Sequence, residues 1–270
     1  MEHYQDFLQR IGGFELPELH FAEEGLVPSP GVARKVAEDG RFRPFYGDTV
    51  VFVLSEEEKA AVRCMTDVLY EAAPECFCER LGGSTFHMTL HDLSNSPVQE
   101  EVSARMRENE AALRALLREH PVSPRTIRMR SKAVFNMVGT SLVLGLIPAD
   151  EEAFEALMQL YRLVDGVLPL PYPLTPHITL GYYSPQGFDG AAARRLEAAA
   201  GRLLPVPLDI TLHTARLVYQ HFSDMNSFLS ENLSGMSLIQ IFNQEKKKEK
   251  EFDMRNNTHQ ILKMPRNNLR

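Results

Sequence analysis

The sequence has no tryptophan among its 270 residues and only three cysteines, Cys64, Cys76 and Cys78. Three thiols cannot all pair, Cys76 and Cys78 are too close together for an ordinary disulfide, and no second cysteine pair completes a zinc set. No apolar run reaches the length of about 18 residues that a membrane helix needs, and the first residues lack the basic and apolar regions of an export signal. We therefore expect a cytoplasmic protein with free thiols and no membrane partner.

Positive charge is also scarce. The formal net charge is −7, and residues 229–270 carry eight basic and five acidic side chains, which leaves 21 basic against 31 acidic in the rest of the chain. Tight binding of long nucleic acid depends on cations that neutralise many phosphates. The acidic body argues against extended nucleic-acid binding, but it leaves room for a small nucleotide or an RNA terminus.

Two short cassettes stand out from this ordinary composition. Phe86-His87-Met88-Thr89-Leu90 and Pro176-His177-Ile178-Thr179-Leu180 each place a His-x-Thr-Leu pattern inside an apolar run. Side chains alternate between the two faces of a strand, so the histidine and the threonine of each cassette share a face. Two such strands side by side would form a cleft with two imidazoles and two hydroxyls.

The predicted elements repeat around these cassettes. A strand (49–54), a helix (55–73), the first cassette strand (85–93) and a helix (98–119) are matched by a strand (141–149), a helix from 150, the second cassette strand (175–183) and an alanine-rich helix (189–204). Strands at 125–136 and 208–219 complete the pattern. A repeat of pattern predicts a pseudo-twofold arrangement with both cassettes at one central cleft.

This arrangement suits acid–base chemistry on a phosphate. Opening a cyclic phosphodiester needs a base for water, an acid for the departing oxygen, and donors for the phosphoryl oxygens. Histidine serves both proton roles near neutral pH, and threonine hydroxyls can donate to the charged oxygens. We expect no metal and no cofactor, and we take His177 as the base and His87 as the acid, although the sequence does not fix which histidine plays which role.

The paired cassettes in their strand–helix repeat resemble the two-histidine (2H) phosphoesterase superfamily, which includes the 2′-5′ RNA ligase-like cyclic phosphodiesterases. The resemblance covers roughly residues 45–222. It implies an α+β fold with two pseudo-symmetric lobes, whose antiparallel sheets face a central cleft with the helices outside. It also implies that His87, Thr89, His177 and Thr179 are catalytic, in a hydrolase of 2′,3′-cyclic phosphates or 2′-5′ phosphodiesters with possible reverse ligase activity in RNA processing.

Other residues are candidates for substrate binding. The segment Arg41-Phe42-Arg43-Pro44-Phe45-Tyr46 interleaves cations with aromatic rings, so that Arg43, Phe45 and Tyr46 could hold a phosphate and stack on a base. The same rings could instead pin the loop to the core. Simple alternation puts Tyr183 on the face of His177 and Thr179. Arg130 could contact phosphate or belong to a solvated face.

Two other functions fit the same residues. A zinc hydrolase would use His87, His91 and His177, because alternation puts His91 on the cassette face, whereas Asp92 would point away. A non-catalytic module could bind a nucleotide or RNA end in the same cleft. For the chain as a whole we predict a monomer. Its irregular extension (1–48), with one short helix at the start, packs on a bilobal domain (49–228), and a polar tail (229–270) has the composition of a disordered segment.

Overall fold

The computed structural model describes residues 2–13, 19–203 and 207–233, which form five α-helices and ten strands. The helices are α1 (Tyr4–Gly12), α2 (Glu56–Ala72), α3 (Gln99–Glu119), α4 (Glu151–Asp165) and α5 (Gly190–Leu203). The strands are β1 (Gly25–Leu26), β2 (Tyr46–Val53), β3 (His87–Ser96), β4 (Thr126–Met137), β5 (Ser141–Pro148), β6 (His177–Tyr182), β7 (Phe188–Asp189), β8 (Asp209–His213), β9 (Leu217–Asp224) and β10 (Ser227–Asn232).

Eight of these strands form two four-stranded antiparallel sheets. Their strand orders are β10-β9-β2-β3 and β6-β5-β4-β8, and β1 pairs with β7 in a separate ribbon. The cassette strands β3 and β6 are each the edge strand of a sheet, and the two edges contact one another. The predicted two-lobed α+β fold is confirmed, with corresponding edges of the two sheets meeting at the centre.

Local sequence signals set the starts of the helices. The Ser55 hydroxyl accepts a hydrogen bond from the backbone N–H of Glu58, and the Glu58 carboxylate accepts one from the Ser55 N–H, which completes the predicted capping box at α2. Asp150 caps α4 in the same way through the N–H of Ala153. A cap of this kind stabilises a helix by about 1 kcal/mol. Both helices then pack on the outer faces of the sheets.

The predicted last strand (208–219) is wrong, because the chain changes sheets in its middle. β8 pairs with β4 of one sheet, whereas β9 pairs with β2 of the other. A 3₁₀ turn at Thr214–Arg216 separates them, and the buried Thr214 side chain fixes this turn by accepting from the Arg125 N–H and donating to the Ser123 carbonyl. Apolar alternation continues on both sides of the turn, so it did not reveal the break.

The two ends of the chain compare differently with the prediction. The extension begins with the short helix expected there, α1, whose Phe7 packs its ring 5.2 Å from that of Phe154 in α4. At the other end, β10 continues to Asn232 and pairs with β9, past the predicted tail boundary at 229. Residues 234–270, the rest of the predicted tail, lie outside the described residues. No helix in the described ranges combines the length and the apolarity needed to cross a bilayer.

Candidate active site

The two cassettes adopt the same conformation on their two edge strands. Thr89 lies opposite Val51 of β2, and Thr179 lies opposite Val143 of β5. The histidine and threonine of each cassette are partly exposed, whereas the residues between and after them are buried: Met88, Leu90, Ile178 and Leu180. Each strand thus holds its apolar side in the core and presents its imidazole and hydroxyl together at the cleft.

Backbone carbonyls orient both imidazoles. The Nδ1–H of His87 donates to the carbonyl of Thr85 at 2.6 Å, and the Nδ1–H of His177 donates to the carbonyl of Thr175 at 2.7 Å. Because a carbonyl oxygen only accepts, Nδ1 must carry the proton in both rings. The neutral rings therefore leave the Nε2 lone pair available for proton transfer. The partner is the residue two positions before the histidine in each cassette, so the arrangement is pseudo-symmetric.

The surroundings of the two imidazoles lower the pKa of both rings. The pKa of His87 is lowered to about 4, first because burial disfavours the charged ring and further because of the positive charge of a protonated His177. Burial also lowers the pKa of His177, and Lys35 contributes to that lowering. The Asp92 carboxylate opposes the lowering at both rings. The rings are thus close enough to interact, in a recess that keeps part of each ring accessible.

A β-bulge interrupts each cassette strand immediately after its threonine. Val51 lies opposite Thr89, but the next residue back, Val50, lies opposite His91, so Leu90 is an extra residue in β3. Leu180 is the corresponding extra residue in β6, since Val143 and Leu142 lie opposite Thr179 and Gly181. A bulge of one residue reverses the faces of all side chains that follow it. The predictions that depended on unbroken alternation therefore fail beyond this point.

In β3 the bulge exchanges the expected positions of His91 and Asp92. His91 is 1% exposed and lies in the core, where its two ring nitrogens face the Asp92 carbonyl and, at 3.1 Å, Oδ1 of Asp165 in α4. Asp92 is exposed on the cleft side. The zinc set of His87, His91 and His177 does not form, because His91 points away from the other two. In the described part of the chain, no group of three or more such side chains could hold a metal ion.

In β6 the same shift removes Tyr183 from the cleft. Tyr183 has no exposed surface and packs against Phe77 and Phe188, so the prediction that it binds substrate is wrong. Tyr182 takes its place on the face of Thr179 and is partly exposed. The sequence held one signal for this break: Gly181 follows the extra residue, and a glycine inside a strand often marks a bulge.

The other four residues predicted to bind substrate differ in their exposure and in their contacts. Phe45 is 3% exposed and stacked on Phe222 with ring centroids 6.1 Å apart, so it pins its loop to the protein and is not free to stack on a base. Tyr46 lines a cavity of about 610 Å³ together with residues of α3, β9 and β10. Arg43 is exposed. Arg130 is exposed and pairs with Asp209 at 3.3 Å.

Two residues that the sequence did not single out complete the cleft. The Phe228 ring on β10 lies edge-on to the His87 imidazole, with 5.5 Å between ring centroids. The Lys35 ammonium lies 5.1 Å from the ring centre of Tyr182 and 5.2 Å from that of Phe45. Neither residue belongs to a local sequence motif. Each lies near the cassettes only because strand pairing or loop packing brings together segments that are far apart in the sequence.

Several solved structures are similar to this chain, one of them with a TM-score above 0.5. A conserved protein of unknown function from Agrobacterium tumefaciens is 18% identical, with a TM-score of 0.61 over 76% of this chain and 92% of that one. Escherichia coli LigT complexed with 3′-AMP is 14% identical, with a TM-score of 0.41 over 69% of this chain and 94% of its own. A Thermus thermophilus protein is 16% identical, with a TM-score of 0.40 over 70% and 99%.

Comparisons of sequence alone identify no relative: no family model matches the chain, and no curated protein does so significantly. The Agrobacterium tumefaciens protein, with its TM-score of 0.61 and 18% identity, shows the same fold and no more than that. Which reaction the cleft could support depends on the residues that line it.

Proposed function

We propose that this protein is a two-histidine phosphoesterase that opens a 2′,3′-cyclic phosphate or a 2′-5′ phosphodiester of a nucleotide or an RNA end. The observation that carries the proposal is the matched pair of imidazoles. Both hold the proton on Nδ1 through a backbone carbonyl, both keep Nε2 for exchange, and the positive charge of a protonated His177 contributes to lowering the pKa of His87. Core histidines of unrelated origin have no reason to share these features.

The pKa of His87, which burial lowers to about 4, favours one division of the two proton roles. His87, with its pKa near 4, is the ring that stays neutral, so it takes the proton from the attacking water. His177 is the acid: the negative charge of a bound phosphate raises its pKa and lets it carry a proton. This assignment reverses the one expected from the sequence, because the burial of His87 and its position next to a second imidazole were not visible there.

The chemical step balances with these groups alone. The water oxygen attacks phosphorus while one water proton passes to Nε2 of His87. The bond from phosphorus to the ribose oxygen breaks, and that oxygen receives the proton from Nε2 of His177. Within the described residues neither the Thr89 nor the Thr179 hydroxyl has a protein partner, so both can donate to the non-bridging oxygens, whose charge grows in the transition state.

The test is turnover of nucleoside 2′,3′-cyclic phosphates and 2′-5′ dinucleotides, with the product identified by phosphorus NMR. His87→Ala and His177→Ala should each lower kcat by about 10²- to 10⁴-fold, the usual contribution of one acid or base. His213→Ala on β8 is the matched control and should leave kcat unchanged. Full turnover in either cassette variant would refute the proposal, and nucleotide binding without any product would favour the non-catalytic module.

A further inference from the structure

The segment before the first sheet brings a cation to the edge of the cleft. Lys35 follows a 3₁₀ turn at Val32–Arg34, and the chain from Lys35 to Arg43 folds back on itself, with the N–H of Arg43 donating to the carbonyl of Lys35. Val32 and Val36 are buried against Cys78, with Phe42 and Tyr182 packed on them. The backbone that carries Lys35 is therefore fixed by its own small core.

Aromatic rings hold the Lys35 side chain in place. Its ammonium lies between Phe45 and Tyr182, at 5.2 and 5.1 Å from their ring centres, within the range of a cation–π contact. The Arg34 guanidinium lies 5.3 Å from the same Phe45 ring and adds a second positive charge nearby. The rings restrict the ammonium without neutralising its charge.

The acids around this loop are engaged elsewhere. Asp39 pairs with Arg41, and the Glu79 carboxylate accepts a hydrogen bond from the N–H of Phe42. Across the described residues, no carboxylate lies within ion-pair distance of the Lys35 ammonium. A positioned cation without an acidic partner is suited to an anion that arrives with a ligand.

The position of Lys35 relative to the cassette indicates which anion. Tyr182 lies opposite Ser141 and Thr179 lies opposite Val143, so two residues of strand rise, about 7 Å, separate them on the cleft face. Lys35 contacts the ring of Tyr182, which lies beyond Thr179 along this strand. Its positive charge also contributes to lowering the pKa of His177, so the ammonium acts on the imidazole of this cassette.

We infer that Lys35 forms a second anion subsite, which selects substrates that carry another phosphate on the far side of the ribose from the reacting phosphodiester. The inference rests on the proposed function for the identity of the first subsite. The substrate class is then a 5′-phosphorylated nucleoside 2′,3′-cyclic phosphate or a 5′-phosphorylated 2′-5′ dinucleotide. The hairpin around Lys35 is the part of the extension that contributes to substrate choice.

Binding measured by calorimetry tests the subsite without requiring turnover. Wild-type protein should bind adenosine 2′,5′-bisphosphate about ten- to 150-fold more tightly than adenosine 2′-monophosphate, the gain expected from one charged hydrogen bond. Lys35→Met keeps the unbranched stem against the rings and removes the charge, so it should erase this difference, whereas Lys35→Arg should retain most of it. Arg105→Met, which removes an exposed cation on α3, should leave it unchanged.

Kinetics separate a failure of this inference from a failure of the proposed function. If Lys35→Met raises KM only for the 5′-phosphorylated substrate and leaves kcat unchanged, the subsite is supported. If the wild-type protein hydrolyses neither substrate but shows the binding difference, the subsite stands and the reaction class is wrong. Equal affinity of wild-type protein for the two adenosine phosphates, or the same difference in wild type and Lys35→Met, would overturn the subsite.

Discussion

The buried ring of His91 lies 3.1 Å from Oδ1 of Asp165, and this contact ties the cassette strand of one lobe to a helix of the other. Oδ1 of Asp165 also accepts a hydrogen bond from the N–H of Leu170, in the loop that leads towards the second cassette. The other ring nitrogen of His91 lies close to the carbonyl of Asp92, so both nitrogens have an oxygen neighbour. The contact holds the two halves of the cleft in register.

Asp165→Ala should therefore lower the free energy of unfolding by about 1–3 kcal/mol, because it leaves a buried ring nitrogen and a backbone N–H without partners. Urea denaturation at neutral pH measures this change. Asp39→Ala is the control: this exposed aspartate pairs with Arg41 on the surface, and its loss should leave the free energy of unfolding close to that of the wild type. Equal effects of the two substitutions would show that the Asp165 contact does not link the lobes energetically.

The bulge in β6 depends on Gly181. A Cβ at this position would lie 2.8 Å from the Tyr70 hydroxyl and 3.0 Å from a carbon of the Phe77 ring. Gly181→Ala should lower the free energy of unfolding by about 1–3 kcal/mol through overpacking. Tyr70→Phe removes the nearest atom, and because that buried hydroxyl has no hydrogen-bond partner, its own cost should be small.

The double variant gives the sharper measurement. In Tyr70→Phe/Gly181→Ala the added methyl group meets less resistance, so the double variant should be more stable than the sum of the two single changes predicts. A double-mutant cycle in urea isolates this coupling. Strict additivity would mean that Tyr70 does not set the space at the bulge.

The bulges in β3 and β6 limited what could be predicted about the site from the sequence. His87, Thr89, His177 and Thr179 were found because each pair lies within three residues, a span over which strand alternation held. Asp92 and Tyr183 were misplaced because the face of a residue depends on every residue between it and the reference, and one extra residue reverses it. Lys35 and Phe228 contact the site through tertiary packing, which no local pattern encodes.

The same distinction applies to the fold. Features set by neighbouring residues were predicted, and a feature set by residues far away in the sequence was not. The capped starts of α2 and α4 were predicted because a capping side chain acts within three residues. The change of sheet between β8 and β9 was missed because it depends on which strand each segment pairs with, and Thr214 fixes it by bonding to residues about 90 positions earlier.

The pKa of His87 predicts how stability changes with pH. A histidine has a pKa of about 6.5 in the unfolded chain and His87 about 4 in the folded one, so the unfolded chain binds more protons between these values. The contribution of the neutral ring is complete above pH 6.5 and is lost as the pH falls towards 4. A shift of this size corresponds to about 3 kcal/mol.

His87→Asn removes this titration, so the variant should lose less stability between pH 6.5 and 4.5 than the wild type. Urea midpoints at the two pH values give the comparison, and far-UV circular dichroism verifies that the variant is folded. His177 titrates in the same direction and should account for part of the slope that remains. An unchanged slope in His87→Asn would contradict the low pKa.

Asp92 should set the pH range in which the protein works. Its carboxylate raises the pKa of both cassette imidazoles, so Asp92→Asn should lower both values. In a plot of kcat/KM against pH, the acid limb reports protonation of the base and the basic limb reports loss of the proton from the acid. Because both pKa values fall, both limbs should move to lower pH. At neutral pH the activity should fall, because less of His177 carries its proton.

Asn95→Asp, which adds a carboxylate at an exposed position further along β3, is the control and should leave both limbs in place. A profile that keeps both limbs in Asp92→Asn would place the Asp92 carboxylate outside the electrostatic field of the cleft.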